Sequence, residues 1–89
     1  MERRTYYFSG HVQGVGFRYT VQHLARSHPV TGFVRNVPDG RVELVAEGEA
    51  KDLDALAEAL ARQMESFIRK TDVSNAPATG EFTGFTIRH

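Results

Sequence analysis

The sequence contains no cysteine among its 89 residues. Disulfide bonds, thiolate nucleophiles and cysteine-ligated zinc are therefore excluded, and the stability of the fold must come from packing. A chain without cysteine is compatible with a reducing compartment, and we expect a cytoplasmic location. The length suits one domain, residues 1–89, with a single modest core.

Long hydrophobic runs and net charge are missing as well. No segment approaches the roughly 20 apolar residues of a membrane helix, and no signal-peptide core follows Met1. Eleven basic and eleven acidic residues cancel to a formal net charge of zero, so no overall field attracts nucleic acid or an anionic membrane. We therefore expect a soluble monomer whose partner is a small molecule, with neither nucleic acid nor membrane.

What the sequence does contain is a glycine loop that ends in an arginine, in the segment Gly10–Arg18 (GHVQGVGFR). Gly14 and Gly16 allow backbone N–H groups to converge on an anion, and Arg18 can bind two oxygens of a phosphate. No cysteine, serine, threonine, aspartate or lysine lies between Val12 and Arg18. The loop is therefore predicted to hold a phosphoryl group without forming a covalent bond to it.

The first half of the chain has three further structural signals. Residues 5–12 alternate between apolar and polar positions, which predicts a strand leading into the glycine loop. Apolar spacing from Phe17 predicts a short helix that ends before Pro29. Residues 32–36 and 41–47 are two strands, and the intervening VPDG is typical of a tight hairpin turn.

The second half contains one clear helix and two less regular segments. Apolar residues recur every three or four positions from Leu53 to Phe67, which predicts a long amphipathic helix. Residues 68–73 are predicted to form a strand, residues 74–80 a loop, and residues 82–88 a final alternating strand.

This order of elements favours an α+β fold of the ferredoxin-like split βαβ type. Each helix has only one apolar face, so both must share one side of a mainly antiparallel sheet of four to five strands. Right-handed crossovers then place strands one and three in the middle. In this arrangement Arg18 and Asn36 lie at neighbouring positions along one edge of the sheet and can face a common anion.

Two segments, VQGVGFR at residues 12–18 and GFVRNVPDGRV at residues 32–42, resemble the two signature segments of the acylphosphatases. The similarity extends over nearly the whole chain. The resemblance implies that acyl phosphates are hydrolysed to a carboxylate and inorganic phosphate without a metal or other cofactor. It implies that Arg18 binds the phosphate and that Asn36 positions the attacking water.

The expected site combines these two side chains with a backbone cradle. The phosphoryl group would lie against the loop residues Gly14, Val15, Gly16, Phe17 and Arg18. The conjugate acid of a carboxylate leaving group has a pKa of about 4, so its departure needs no general acid. Asn36 cannot accept a proton, which leaves a phosphate oxygen as the acceptor. Water is then expected to attack phosphorus directly, with no phosphoenzyme.

The alternative is a non-catalytic ferredoxin-like module. The RNA recognition motif shares this topology, but residues 41–47, the third strand, carry no aromatic side chain on which a base could stack. An accessory role is the other possibility, because acylphosphatase-like domains also occur inside larger proteins such as the hydrogenase-maturation carbamoyltransferases. The sequence favours the enzyme over both.

Overall fold

The computed structural model describes residues 1–89 and contains five strands and two helices. The strands form one sheet in the order β4-β1-β3-β2-β5, and both helices pack against the sheet and against each other. The predicted α+β, ferredoxin-like fold is confirmed. In chain order the elements are β1 (Glu2–Gly10), α1 (Phe17–Ala25), β2 (Thr31–Asn36), β3 (Val42–Gly48), α2 (Ala50–Gln63), β4 (Ile68–Pro77) and β5 (Phe85–Arg88).

The sheet is antiparallel except at one edge. β1 pairs antiparallel with both β3 and β4, and β2 pairs antiparallel with β3. β5 runs parallel to β2, with Gly32 opposite Phe85 and Arg35 opposite Arg88. The carboxyl-terminal ends of β2 and β5 therefore lie side by side at the same end of the sheet.

The core lies between the sheet and the two helices. Its members alternate along the strands and recur at helical spacing on α1 and α2, as the apolar patterns predict. Among its most deeply buried side chains are Val12, Phe17, Val21, Val34, Val42, Leu44, Leu53, Leu56 and Leu60.

Several predicted boundaries are wrong, and tertiary pairing explains the largest errors. The first strand spans Glu2–Gly10 instead of 5–12, because its early residues pair with β3 on one side and with β4 on the other. Residues 74–77, predicted as loop, continue β4, where Ser74 lies opposite Thr5 and Pro77 opposite Glu2. Proline and polar residues are tolerated there because β4 is an edge strand.

The remaining differences lie at the ends of elements. The final strand begins at Phe85 instead of residue 82. The long helix ends at Gln63, and Met64 and Phe67 of the apolar stripe follow it in a turn, where Phe67 N–H donates to the Met64 carbonyl at 3.0 Å. Neither helix is long and apolar enough to cross a membrane.

On the sheet face opposite the helices, one carboxylate fastens the segment between β4 and β5. Glu47 is 3% exposed and accepts hydrogen bonds from Arg3 Nε at 2.8 Å, from the backbone N–H groups of Thr79 and Gly80 at 2.9 Å each, and from Thr79 Oγ1 at 3.0 Å. Burial opposes ionisation of this group, but the hydrogen bonds outweigh it and lower the pKa of Glu47 from 4.5 to about 2.

Candidate active site

The glycine loop between β1 and α1 depends on left-handed backbone geometry. Gly14 and Gly16 both have a φ of 77°, a conformation that residues with a Cβ atom rarely adopt. A Cβ atom built on either glycine meets nothing within 4 Å. These positions therefore require glycine for its backbone freedom and not for lack of space.

The loop presents a run of unpaired backbone donors. Thr20 N–H makes the first helical hydrogen bond, to the Gly16 carbonyl at 3.0 Å. No N–H from Gly14 to Arg18 donates to another group of the protein. The first turn of α1 carries no acidic side chain, so the positive end of the helix dipole is not neutralised there. Such a helix start favours the binding of an anion.

Arg18 lies in the first turn of α1, immediately after the loop. Its Nη1 lies 3.3 Å from Nδ1 of His89, the residue that follows β5. No carboxylate forms an ion pair with Arg18. Its guanidinium therefore keeps its charge available for a ligand.

Asn36 is the last residue of β2, on the hairpin beside the loop. The hairpin is closed by the N–H of Val37, which donates to the Arg41 carbonyl at 2.8 Å, and by the N–H of Gly40, which donates to the Val37 carbonyl at 3.0 Å. Oδ1 of Asn36 is buried and has no hydrogen-bond partner in the protein. A buried acceptor of this kind normally takes a hydrogen bond from a ligand or from water.

The loop, Arg18 and Asn36 together line one small pocket of about 160 Å³. Its walls contain no carboxylate, imidazole or thiolate, and nowhere in the structure do three such side chains group as metal ligands. The pocket combines a cation with unpaired donors and one unpaired acceptor, a set suited to an anion and a water molecule. The lining residues are Val12, Gly14, Gly16, Phe17, Arg18, Tyr19 and Asn36.

Most of the residues predicted from the sequence come together here. Gly14, Gly16, Phe17, Arg18 and Asn36 all line the pocket. Val15, predicted to contribute its backbone N–H, is not among the lining residues, and its side chain packs against the hydrophobic core.

The sequence reasoning missed Tyr19 at the pocket and His89 beside Arg18. No motif marks His89, since the parallel pairing of β5 with β2 brings it there. Tyr19 could have been predicted, because it lies in the first turn of the helix that follows the glycine loop, and that turn must lie beside the loop.

Gln13 is a further residue that the sequence reasoning left unassigned. Its Nε2 donates to two backbone carbonyls of the hairpin, Val37 at 2.8 Å and Arg41 at 2.9 Å. The glycine loop is therefore fastened to the turn that follows Asn36. This contact fixes the position of the glycine loop relative to the hairpin that carries Asn36.

A larger groove of about 420 Å³ lies elsewhere, between α2 and strands β1 and β4. It is mainly apolar, and its only charged lining residues are Glu58 and Glu65, which would repel a phosphoryl group. The smaller pocket at the loop is therefore the better candidate for phosphate chemistry.

Comparison with known proteins agrees with this geometry. The family model described as Acylphosphatase matches residues 4–87. The chain belongs to the acylphosphatase family. Members of the acylphosphatase family are hydrolases that act on acid anhydrides, and the predicted assignment of this chain to such an enzyme is confirmed.

Individual relatives extend the similarity over the full length of the chain. An acylphosphatase from Methylococcus capsulatus is 46% identical over 89 residues, which cover 98% of this chain and 96% of the relative. The crystal structure of the acylphosphatase from Bacillus subtilis is 32% identical with a TM-score of 0.89, and each chain is covered completely. HypF from T. kodakarensis is 30% identical with a TM-score of 0.85, but the match covers 100% of this chain and only 12% of that one.

Proposed function

We propose that this protein hydrolyses the carboxyl–phosphate bond of small acyl phosphates, by direct attack of water on phosphorus and without a metal. The single observation that carries the proposal is the pocket that contains Arg18, the unpaired loop N–H groups and the unpaired Oδ1 of Asn36. One copy of the chain supplies all of these groups. We therefore propose that a single domain, residues 1–89, acts as a monomer on a small-molecule substrate.

Substrate binding is assigned to the loop and to Arg18. The planar guanidinium of Arg18 donates to two phosphoryl oxygens, and the N–H groups of residues 14–18 donate to the remaining oxygen charge. Phosphoryl transfer passes through a loose transition state whose charge is spread over three equatorial oxygens. Donors that are fixed before the reaction stabilise that charge without reorganisation.

Asn36 is assigned to the attacking water. Its Oδ1 accepts a hydrogen bond from the water and holds the water oxygen in line with the bond that breaks. The water oxygen bonds to phosphorus, the bond from phosphorus to the acyl oxygen breaks, and the bonding pair leaves with the carboxylate. An amide cannot take the proton, so the proton of the water passes to a phosphate oxygen.

The rest of the chemistry needs no further catalytic group. A carboxylate leaves without protonation because its conjugate acid has a pKa of about 4. The lining residues include no nucleophilic side chain apart from the hydroxyl of Tyr19, which lies at the exposed rim. We therefore assign no covalent intermediate.

The test is hydrolysis of acetyl phosphate with excess chelator, carried out in water labelled with heavy oxygen. We expect full activity with the chelator, with the label found in inorganic phosphate and not in acetate. Label in acetate would show attack on the carbonyl carbon, and loss of activity with the chelator would show a metal requirement. Either outcome would overturn the proposed mechanism.

A further inference from the structure

Tyr19 lies at the mouth of the phosphate pocket. Tyr19 lines the pocket together with Arg18, yet 64% of the residue is exposed to solvent, whereas Phe17 on the same turn is only 2% exposed. Side chains on a helix lean toward its N-terminus. Because α1 begins at Phe17, the ring of Tyr19 leans toward the glycine loop.

The ring of Tyr19 makes none of the specific side-chain contacts that stabilise the fold. It takes part in no aromatic pair, no cation–π contact and no side-chain hydrogen bond. The large hydrophobic residues exposed on the surface are Met1, Tyr19 and Val73, and Tyr19 is the aromatic one among them. An exposed apolar ring beside a binding pocket is a typical contact for a ligand.

The size of the pocket places the acyl half of the substrate next to this ring. Pockets that enclose a whole small molecule measure about 300–1,000 Å³. The volume here is about 160 Å³, below that range, so a bulky acyl group does not fit beside a phosphoryl group. Such an acyl group must extend through the mouth, where Tyr19 offers an apolar surface.

We propose that Tyr19 is the platform for the acyl group, and that the site favours acyl phosphates whose acyl group is flat and aromatic. This inference rests on the proposed function, because it concerns the acyl half of the substrate whose phosphoryl half binds in the pocket. Stacked or edge-on aromatic pairs contribute enough for an affinity gain of about two- to tenfold. The platform selects among substrates and takes no part in bond breaking.

The test uses two ligands that cannot be hydrolysed, phenacylphosphonate and acetonylphosphonate, in which a methylene replaces the bridging oxygen. Calorimetric titration of the wild-type chain should show tighter binding of the phenacyl compound by about two- to tenfold. Tyr19→Ala should reduce this preference to about one, and Tyr19→Phe should retain it. The free energy of unfolding should be nearly the same in all three proteins, since Tyr19 is mostly exposed and makes no aromatic pair, cation–π contact or side-chain hydrogen bond.

Hydrolysis of benzoyl phosphate and acetyl phosphate provides the second readout. A contact with the non-reacting part of the acyl group is equal in the ground state and the transition state, so Tyr19→Ala should raise KM more than it changes kcat, and should raise KM for benzoyl phosphate more than KM for acetyl phosphate. A binding preference that survives in Tyr19→Ala would overturn the platform. Wild-type protein that shows the preference but hydrolyses neither compound would instead overturn the proposed function and leave the platform standing.

Discussion

The side-chain amide of Gln13 donates a hydrogen bond of 2.8 Å to the backbone carbonyl of Val37, and so joins the glycine loop to the hairpin turn that follows Asn36. The same nitrogen reaches the Arg41 carbonyl at 2.9 Å. Arg18 and Asn36 lie on different elements, with no direct hydrogen bond between their side chains. Their relative position therefore depends on contacts such as this one.

Replacing Gln13 by glutamate tests this positioning role, because the shape is kept while the donor is lost. We expect Gln13→Glu to lower the free energy of unfolding by about 1–3 kcal/mol, since two carbonyls lose their donor and face a carboxylate. It should also lower kcat by misplacing Asn36 relative to the phosphate. Denaturant unfolding and acetyl phosphate kinetics check both effects.

Gln63→Glu is the matched control, because Gln63 is exposed at the end of α2 and its side chain makes no hydrogen bond. This variant should retain wild-type stability and kinetics. Wild-type kcat in Gln13→Glu would show that the hydrogen bonds to the hairpin do not position the site.

The left-handed backbone at Gly16 provides a second prediction. Gly16→Ala should destabilise the fold by about 1–2 kcal/mol and weaken phosphate binding, because φ of 77° strains any residue with a Cβ atom. Gly84→Ala is the control, since Gly84 has no positive φ and its added Cβ also meets nothing within 4 Å. Unfolding curves and inhibition by inorganic phosphate measure the two effects. Equal effects in both variants would contradict the conformational explanation.

The lowered pKa of Glu47 gives a dependence of stability on pH. A carboxylate whose pKa falls from 4.5 unfolded to about 2 folded contributes its full stabilisation above about pH 4.5, and this is lost as the pH falls through about 2. Glu47→Gln should therefore be destabilised by on the order of 2 kcal/mol near neutral pH. The difference from wild type should shrink as the pH approaches 2.

Denaturant unfolding of both proteins across this range measures the effect. Activity should not change, because Glu47 is far from the pocket along the sheet. Glu47 lies opposite Thr31 at one end of the β2–β3 pair, and Asn36 lies opposite Val42 at the other end. A difference in stability that is constant from neutral pH to pH 2 would contradict the assignment.

Much of the fold could be predicted from the sequence, because local signals agree with the tertiary structure. The hairpin between β2 and β3 has its turn where VPDG predicts it, and the stripe from Leu53 to Leu60 marks the buried face of α2. Prediction failed where long-range pairing decides the structure. Residues 74–77 have a polar, loop-like composition, but they form strand because β1 offers them an unpaired edge.

The candidate site divides in the same way. Arg18 and Asn36 were predictable, since glycine geometry and topology bring both to one edge of the sheet. His89 was not, because its place beside Arg18 depends on a parallel pairing that leaves no pattern in the sequence. Gln13 was not predictable either, because nothing local shows that its amide faces carbonyls 24 and 28 residues away.

The central claim is that Arg18 binds the phosphoryl group and that Asn36 positions the water, and two variants test it together. The measurement is acetyl phosphate kinetics of Arg18→Gln and Asn36→Ala, with inhibition by inorganic phosphate as a measure of binding. Arg26→Gln and Asn75→Ala are the controls, because both residues are exposed and lie outside the pocket.

We predict that Arg18→Gln weakens phosphate binding and that Asn36→Ala lowers kcat by about 100-fold or more, with phosphate binding nearly unchanged. Arg18→Lys should resemble Arg18→Gln, because an ammonium cannot bind two oxygens in one plane. Wild-type kcat/KM in either Arg18→Gln or Asn36→Ala would contradict the account.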